Sequence, residues 1–215
     1  MTIQFFGASC FKISTKIGNE EVSIITDPYS EKVGKLPRGF ASDILTISRK
    51  SHEHHDNAEA VSGAFLIDCP GEYEVKGIPI YGIPAVHEKR ESKEYHKNTM
   101  FHFLVDDVRI VHLGGLREPL TDEQLAALGE VDVLMVPVGG GDVLGAEAAA
   151  DIVARMEPRV VIPMHYKMKD LTLAAEDLAP FVKEVGSKTI EADKWKVTKK
   201  DLPQGETFIV LLSKA

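Results

Sequence analysis

The stretch SDILTISRKSHEHHDNAEAV, Ser42 to Val61, runs from a short apolar segment into a loop crowded with metal-type side chains. Its core, Ile44 to Ile47, has the length and composition of a buried strand. The loop that follows holds His52, His54 and His55 together with Glu53, Asp56 and Glu59. In an extended loop alternate residues point the same way, so His52 and His54 would turn both imidazoles towards one ion. Asp56 adds a carboxylate two residues further on. Zn²⁺ accepts imidazole and carboxylate ligands, and a catalytic site leaves one position for water. The ion lowers that water's pKa and makes it a nucleophile. The other reading is a solvated polar loop whose histidines titrate freely, since short histidine patterns often occur without a metal. Both readings stay open on this stretch alone.

Outward from this loop, the first half of the chain reads as strands. TIQFFGASCFKIST (2–15) sets β-branched and aromatic residues around a glycine, and EEVSIITDP (20–28) is an apolar run stopped by Asp27-Pro28. GAFLIDCPGEYEVKGIPIYGIPAVH (63–87) strings short strands between Gly and Pro punctuation. TMFHFLVDDVRIVHLGG (99–115) predicts a hairpin turning at Asp106-Asp107. The second half alternates. Thr121 followed by Gln124 predicts a capped helix start, with Gly129 as its stop. VDVLMVPVGGG (131–141) is a buried strand running into a glycine loop. An alanine-rich helix over 145–157 is ended by Pro158. RVVIPMHY (159–166) is another buried strand, and AAEDLAPFVKEVG (174–186) is a helix that Pro180 interrupts or starts. The tail, 194–213, returns to strands. No linker, repeat or low-complexity stretch divides the chain, which predicts one domain over 1–215: two sheets with helices packed outside.

Histidines recur at apparent strand ends: His87, His112 and His165 besides the 52–55 cluster. Loops at strand ends are where sites are usually built on a rigid scaffold. Each also has a plain structural reading, His87 as a surface residue, His112 as a satisfied core histidine and His165 as a hydrogen-bonded strand end. His96 and His102 read as a loop and a strand residue. GASCF (7–11) is neither a nucleophile elbow nor a convincing thiol site. VGGGD (138–142) lacks the Lys-Ser/Thr of a phosphate loop, so a tight strand-to-helix turn is its expected role.

Composition narrows the partners. Hydrophobic residues make up 44% and charged residues 27%, as in a soluble globular chain. A net charge of −8 argues against nucleic acid, which normally meets a basic footprint. No apolar run approaches the roughly 20 residues that span a bilayer, so no membrane partner is expected. The N-terminus lacks the pattern of a signal peptide. Cys10 and Cys69 are far apart, which fits reduced thiols in a cytoplasmic protein rather than a disulfide framework.

Taken in order, IQFFGASCFKI, IITDPY, SDILTIS with its histidine loop, IDCPGEYEVKGIPIYGIPAVH, NTMFHF, RIVHLGGL, DVLMVPVGG and VVIPMHY resemble the metallo-β-lactamase superfamily, in its small stand-alone bacterial hydrolase-like branch. The resemblance covers nearly the whole chain. It implies an α/β fold, an αββα sandwich of two mixed β-sheets flanked by helices, with a metal site at one edge of the sheets. It also shows departures. Ala8 stands where the family has a histidine, and Gly115 where an aspartate bridges two metals. The family's S-H-x-H-x-D-H loop fits in two registers. Without a gap, Arg49 and Ser51 take the H-x-H positions, with Glu53 and His54 after them. With an insertion before the motif, His52, His54 and Asp56 match and Asn57 replaces the last histidine; this register is slightly preferred.

By resemblance His87 corresponds to a ligand of the first metal, His165 to one of the second and His112 to a supporting position. The metal ligands expected are therefore His52, His54, Asp56, His87 and His165. Asp56 would orient or deprotonate water, and His165 or His112 would stabilise developing charge. Two of the second metal's four ligands are absent, which leaves one Zn²⁺ on His52, His54 and His87, or no metal at all. Two functions follow as expectations. One is a one-metal hydrolase of an ester, lactone, amide or phosphoester. The other is a degenerate, metal-free binding or assembly module. The small-molecule substrate or ligand is unreadable, and pairing of two copies is open.

Overall fold

Alternation along the first strands gives their sheet two apolar faces. In the computed structural model, which describes residues 1–50, 52–88 and 95–215, those strands are β1 (Thr2–Gly7), β2 (Cys10–Ile17), β3 (Glu20–Thr26), β4 (Ile44–Thr46) and β5 (Phe65–Ile67). Then come β6 (Gly71–Val75), β7 (Ile78–Glu88), β8 (Tyr95–Val105), β9 (Val108–His112), α1 (Asp122–Leu128), β10 (Val133–Pro137), α2 (Ala146–Met156) and β11 (Val160–Met164). The chain ends with α3 (Ala179–Val185), β12 (Lys188–Ala192), β13 (Trp195–Lys196) and β14 (Phe208–Leu212). One sheet runs β13-β1-β2-β3-β4-β5 and the other β12-β14-β11-β10-β9-β8-β7-β6. Both are mixed: β1 to β3 pair antiparallel and β3 to β5 parallel, while β6 to β9 form a meander that continues parallel through β10, β11 and β14.

Three apolar layers follow from this alternation. Phe5, Phe11, Ile13, Ile24 and Ile44 meet Phe101, Phe103, Ile110, Met135 and Ile162 between the sheets. The opposite side of the second sheet, Val111, Leu134, Val136 and Val161, is covered by Leu128 of α1, Ile152 and Val153 of α2 and Phe181 of α3. The opposite side of the first sheet, Cys10, Ile25, Leu45 and Ile47, is covered by Tyr29, Val33, Phe40, Val61 and Leu171. Among the described residues, connecting segments rather than an α-helix cover that side. The sandwich is thus the expected one, with loops standing for helices over the smaller sheet.

The local signals act as their chemistry requires. Thr121 accepts from the Gln124 amide and Gln124 returns a bond to the Thr121 amide, which closes the capping box of α1. Pro180 starts α3 instead of interrupting it, since its missing N–H is not needed in the first turn. The hairpin turns at Asp106 and Asp107, both left-handed. β7 differs from expectation: it is one strand of 11 residues, not several short ones. Its Pro84 lies past Gly82, where pairing with β6 ends, so that side has no ladder to interrupt. Pro163 of β11 and Pro137 of β10 likewise lie past the last pairings with β14 and β9.

This topology positions the site. β3 and β4 run parallel in one sheet, and β9, β10 and β11 in the other, so their C-terminal ends open at one edge. The two sheets are tied there by main-chain bonds. His165 donates to the Ala8 carbonyl at 2.7 Å, and Thr99 donates to the Ser48 carbonyl at 2.9 Å.

Candidate metal centre

The site is built from the first shared strand end outward. β3 stops at Asp27, whose carboxylate is fully buried. Ser48, just past β4, donates its amide to Asp27 Oδ1 at 2.7 Å and its hydroxyl to Oδ2 at 2.5 Å. His55 Nδ1 lies 2.9 Å from the same Oδ2. Burial pushes the Asp27 carboxyl up to about 6, against the pull of the His112 charge and the Ser48 bonds. Burial first, and Arg49 next, drive the His55 pKa well below its ordinary value. His55 Nδ1 and the Asp27 carboxyl thus share a buried hydrogen bond that fixes the ring. Its Nε2 is buried and has no hydrogen-bond partner among the described residues.

His165 stacks on His55, the rings 5.2 Å apart and 9° from parallel. Both of its ring nitrogens are buried and without a hydrogen-bond partner among the described residues, and burial lowers its pKa well below the usual value. Its backbone is left-handed, with φ 52°. The turn is held by its bond to Ala8 and by Gly139, where a Cβ would sit 2.1 Å from the His165 carbonyl oxygen. His54 lies 5.3 Å from His165 and 4.9 Å from His52, ring centre to ring centre.

The loop holding these histidines is a closed turn, not the extended segment expected. The His52 carbonyl accepts from the amides of His55 at 2.9 Å and Asp56 at 2.8 Å. His52 and His54 still converge, because the turn carries both rings to Asp142. The His54 amide donates to His52 Nδ1, so Nε2 carries the hydrogen and meets Asp142 Oδ2 at 2.7 Å. His54 Nδ1 lies 3.9 Å from that oxygen and has no hydrogen-bond partner among the described residues. Ligand atoms of His52, His54 and Asp142 all lie within 4.8 Å of one another.

Asp142 comes from the VGGGD turn, where Gly140 and Gly141 are left-handed. Arg49 Nη1 donates to its Oδ2 at 3.0 Å and to its carbonyl at 3.2 Å, and Arg117 Nη1 lies 3.5 Å from Oδ1. Partial burial acts to raise the Asp142 carboxyl, but the His52 bond and the Arg49 charge hold it well below the usual range. Residues from both readings of the loop therefore meet at one carboxylate: Arg49 from the ungapped register, His52 from the other.

The remaining sequence-predicted residues take different places. Asp56 is half-buried on the same turn but is not in the three-residue group. His87 lies in β7 with its backbone opposite His96 of β8, and its side chain falls outside the described residues. His112 is fully buried and satisfied: Nε2 meets the Ser9 carbonyl at 2.9 Å and Nδ1 accepts from the Gly114 amide at 3.2 Å. It supports the Gly7–Cys10 turn and has no nitrogen left for a ligand. Asn57 donates to the Tyr29 carbonyl at 2.9 Å and pins the loop. At Gly115 a Cβ would sit 2.4 Å from Arg49 Cδ and 2.7 Å from His55 Nε2. Asp142 and His55 are the residues the sequence reading did not single out. The three-glycine run before Asp142 is the one signal that pointed to a close approach there.

A two-sheet sandwich with histidines and carboxylates on the C-terminal strand ends defines the class to which the comparisons also lead. The β-lactamase superfamily domain matches residues 2–165. A crystal structure from Thermotoga maritima, described as a candidate Zn-dependent hydrolase of the metallo-β-lactamase superfamily, aligns over 99% of both chains, with TM-score 0.77 and 29% identity. A UPF0173 protein of Pyrococcus abyssi is 27% identical over 77% of this chain and 83% of its own length. A UPF0173 metal-dependent hydrolase of Thermococcus onnurineus is 27% identical over 86% and 92%. The chain belongs to the metallo-β-lactamase superfamily. These curated relatives are archaeal, so the likeness is not confined to a bacterial branch.

The donor set fits a transition-metal ion. Two imidazoles and a carboxylate within mutual reach are a usual ligand combination for such ions. Beneath them lie the unpartnered nitrogens of His54, His55 and His165, and buried polar atoms normally have partners. At Gly115, where the resemblance implies a bridging carboxylate, the space a side chain would enter is taken by Arg49 and His55.

Proposed function

We propose that this chain is a metal-dependent hydrolase working with a single divalent ion, zinc by its donor set, held by His52, His54 and Asp142. The observation that carries the reading is the convergence of those three side chains at the open ends of the parallel strands. Relatives that span most of the chain are named metal-dependent hydrolases, which supports the same class. When bound, a zinc ion supplies a Lewis acid and lowers the pKa of a coordinated water.

The protein's own groups do the rest. Asp27 fixes the His55 ring, and His55 in turn supports His165 by stacking. His165, neutral and facing His54, offers a ring nitrogen to charge that develops on a substrate oxygen. Asp56, on the turn that carries His52, is the group assigned to orient water. His87, at the end of β7, remains a candidate further ligand. The substrate class is an ester, lactone, amide or phosphoester, since one such site serves many hydrolyses.

Metal analysis of protein purified without added metal tests this. The expected result is about one equivalent of zinc, lost in His52→Ala and Asp142→Ala. Less than about a tenth of an equivalent, unchanged by incubation with Zn²⁺, would sink the reading.

One observation favours a second reading, a metal-free binding or assembly module: Asp142 already carries Arg49, Arg117 and His52. Hydrolysis of a panel of such esters and lactones by the wild type, abolished by a chelator, would remove that alternative.

A further inference from the structure

We infer that Arg49 is a built-in cation that stands in the place of a second metal, limits the centre to one ion and competes with that ion for Asp142. The inference rests on the one-ion reading above. Three observations carry it. First, Arg49 is buried, only 8% exposed, directly after β4 and inside the histidine cluster. A guanidinium is charged at every working pH, so a buried one needs a fixed counter-charge. Second, that counter-charge is Asp142, the one carboxylate of the three-residue group. An incoming ion would draw on the same carboxylate, whose Oδ2 Arg49 holds at 3.0 Å and His52 at 2.7 Å. Third, Arg49 Cδ and His55 Nε2 press on Gly115, where any side chain would meet them at 2.4 Å and 2.7 Å. The aliphatic stem fills the space a carboxylate would enter, and the head supplies positive charge beside it.

In this scheme His52, His54 and Asp142 would hold the ion in competition with Arg49, and the guanidinium beside them would repel a second cation. Arg49 is a positioning residue in this scheme, not a ligand.

The test is a Co²⁺ titration of chelator-stripped protein against a chromophoric chelator, with stoichiometry and affinity as readouts and no activity needed. Wild type should bind one equivalent. Arg49→Met keeps the stem and loses the charge; it should bind one equivalent at least about tenfold more tightly, because neither competition nor repulsion remains. Arg49→Gln serves the same purpose should the methionine variant fold poorly. Arg49→Lys keeps the charge and should stay within about threefold of wild type. Two equivalents in the wild type, equal affinity in the uncharged variants, or equal tightening in Arg49→Lys would overturn the role of Arg49 while leaving the His52, His54 and Asp142 site standing. No binding by any of the four proteins would overturn that site, and this inference with it.

Discussion

At Gly115 a hydrogen stands in place of a side chain, and Arg49 and His55 close over the backbone. On the proposed one-ion reading, this is where a carboxylate bridging a second ion is missing. Packing this tight is sensitive to one added carbon. Gly115→Ala should lower stability by about 2 kcal/mol, read as the urea midpoint, because overpacking forces neighbours from their rotamers. Arg49→Ala makes room on one side. Measured in the same background, the pair should therefore couple by about 1 kcal/mol. Additivity within error would mean that Arg49 does not lie on Gly115. The same residue shows where reading the sequence stops. Glycine at 115 is visible as a departure from the family, and so is Arg49, but their contact is made only by the fold.

Among the elements, strand ends carry the site, and most were legible. The capping box, the Asp106-Asp107 hairpin and the buried strands before His112 and His165 follow from local chemistry that tertiary packing does not override. The turn at His52–Asp56 was not, because one carbonyl accepting two amides leaves no mark on a residue pattern. Asp142 was missed for a different reason. It lies 93 residues from Arg49 and reaches the site through a glycine turn whose path is set by contact, not propensity. Gly139 is the hinge of that contact, since its Cβ would collide with the His165 carbonyl. Gly139→Ala should cost about 3 kcal/mol and weaken Co²⁺ binding as well, by separating Asp142 from the β11 end. A stable variant with unchanged affinity would show that the two loops are positioned independently.

Over the whole molecule, the edge opposite the site is fastened by charge. Asp132, its side chain 1% exposed, begins β10 and accepts from Lys199 at 2.6 Å and from the Arg109 amide at 2.8 Å, with Arg159 at 3.4 Å. Burial acts to raise its carboxyl, but the bonds from Arg109 and Lys199 win and hold it below the ordinary value. The folded state therefore binds a proton less readily than the unfolded chain. This contribution is complete above the ordinary carboxylate range and is lost as pH falls through the depressed value. Asp132→Asn should cost about 2 kcal/mol near neutral pH, and the gap from wild type should close on acidification below about pH 4. A constant gap across that range would assign the loss to packing instead.

The central claim, one ion on His52, His54 and Asp142 with Arg49 in place of a second, is tested most directly by anomalous diffraction at the zinc edge from crystals grown with zinc. The expected map has one peak, about 2 Å from a nitrogen of each histidine and an oxygen of Asp142, with the Arg49 head moved off that carboxylate. Two peaks bridged across Gly115, or none at all with Arg49 still paired to Asp142, would contradict it.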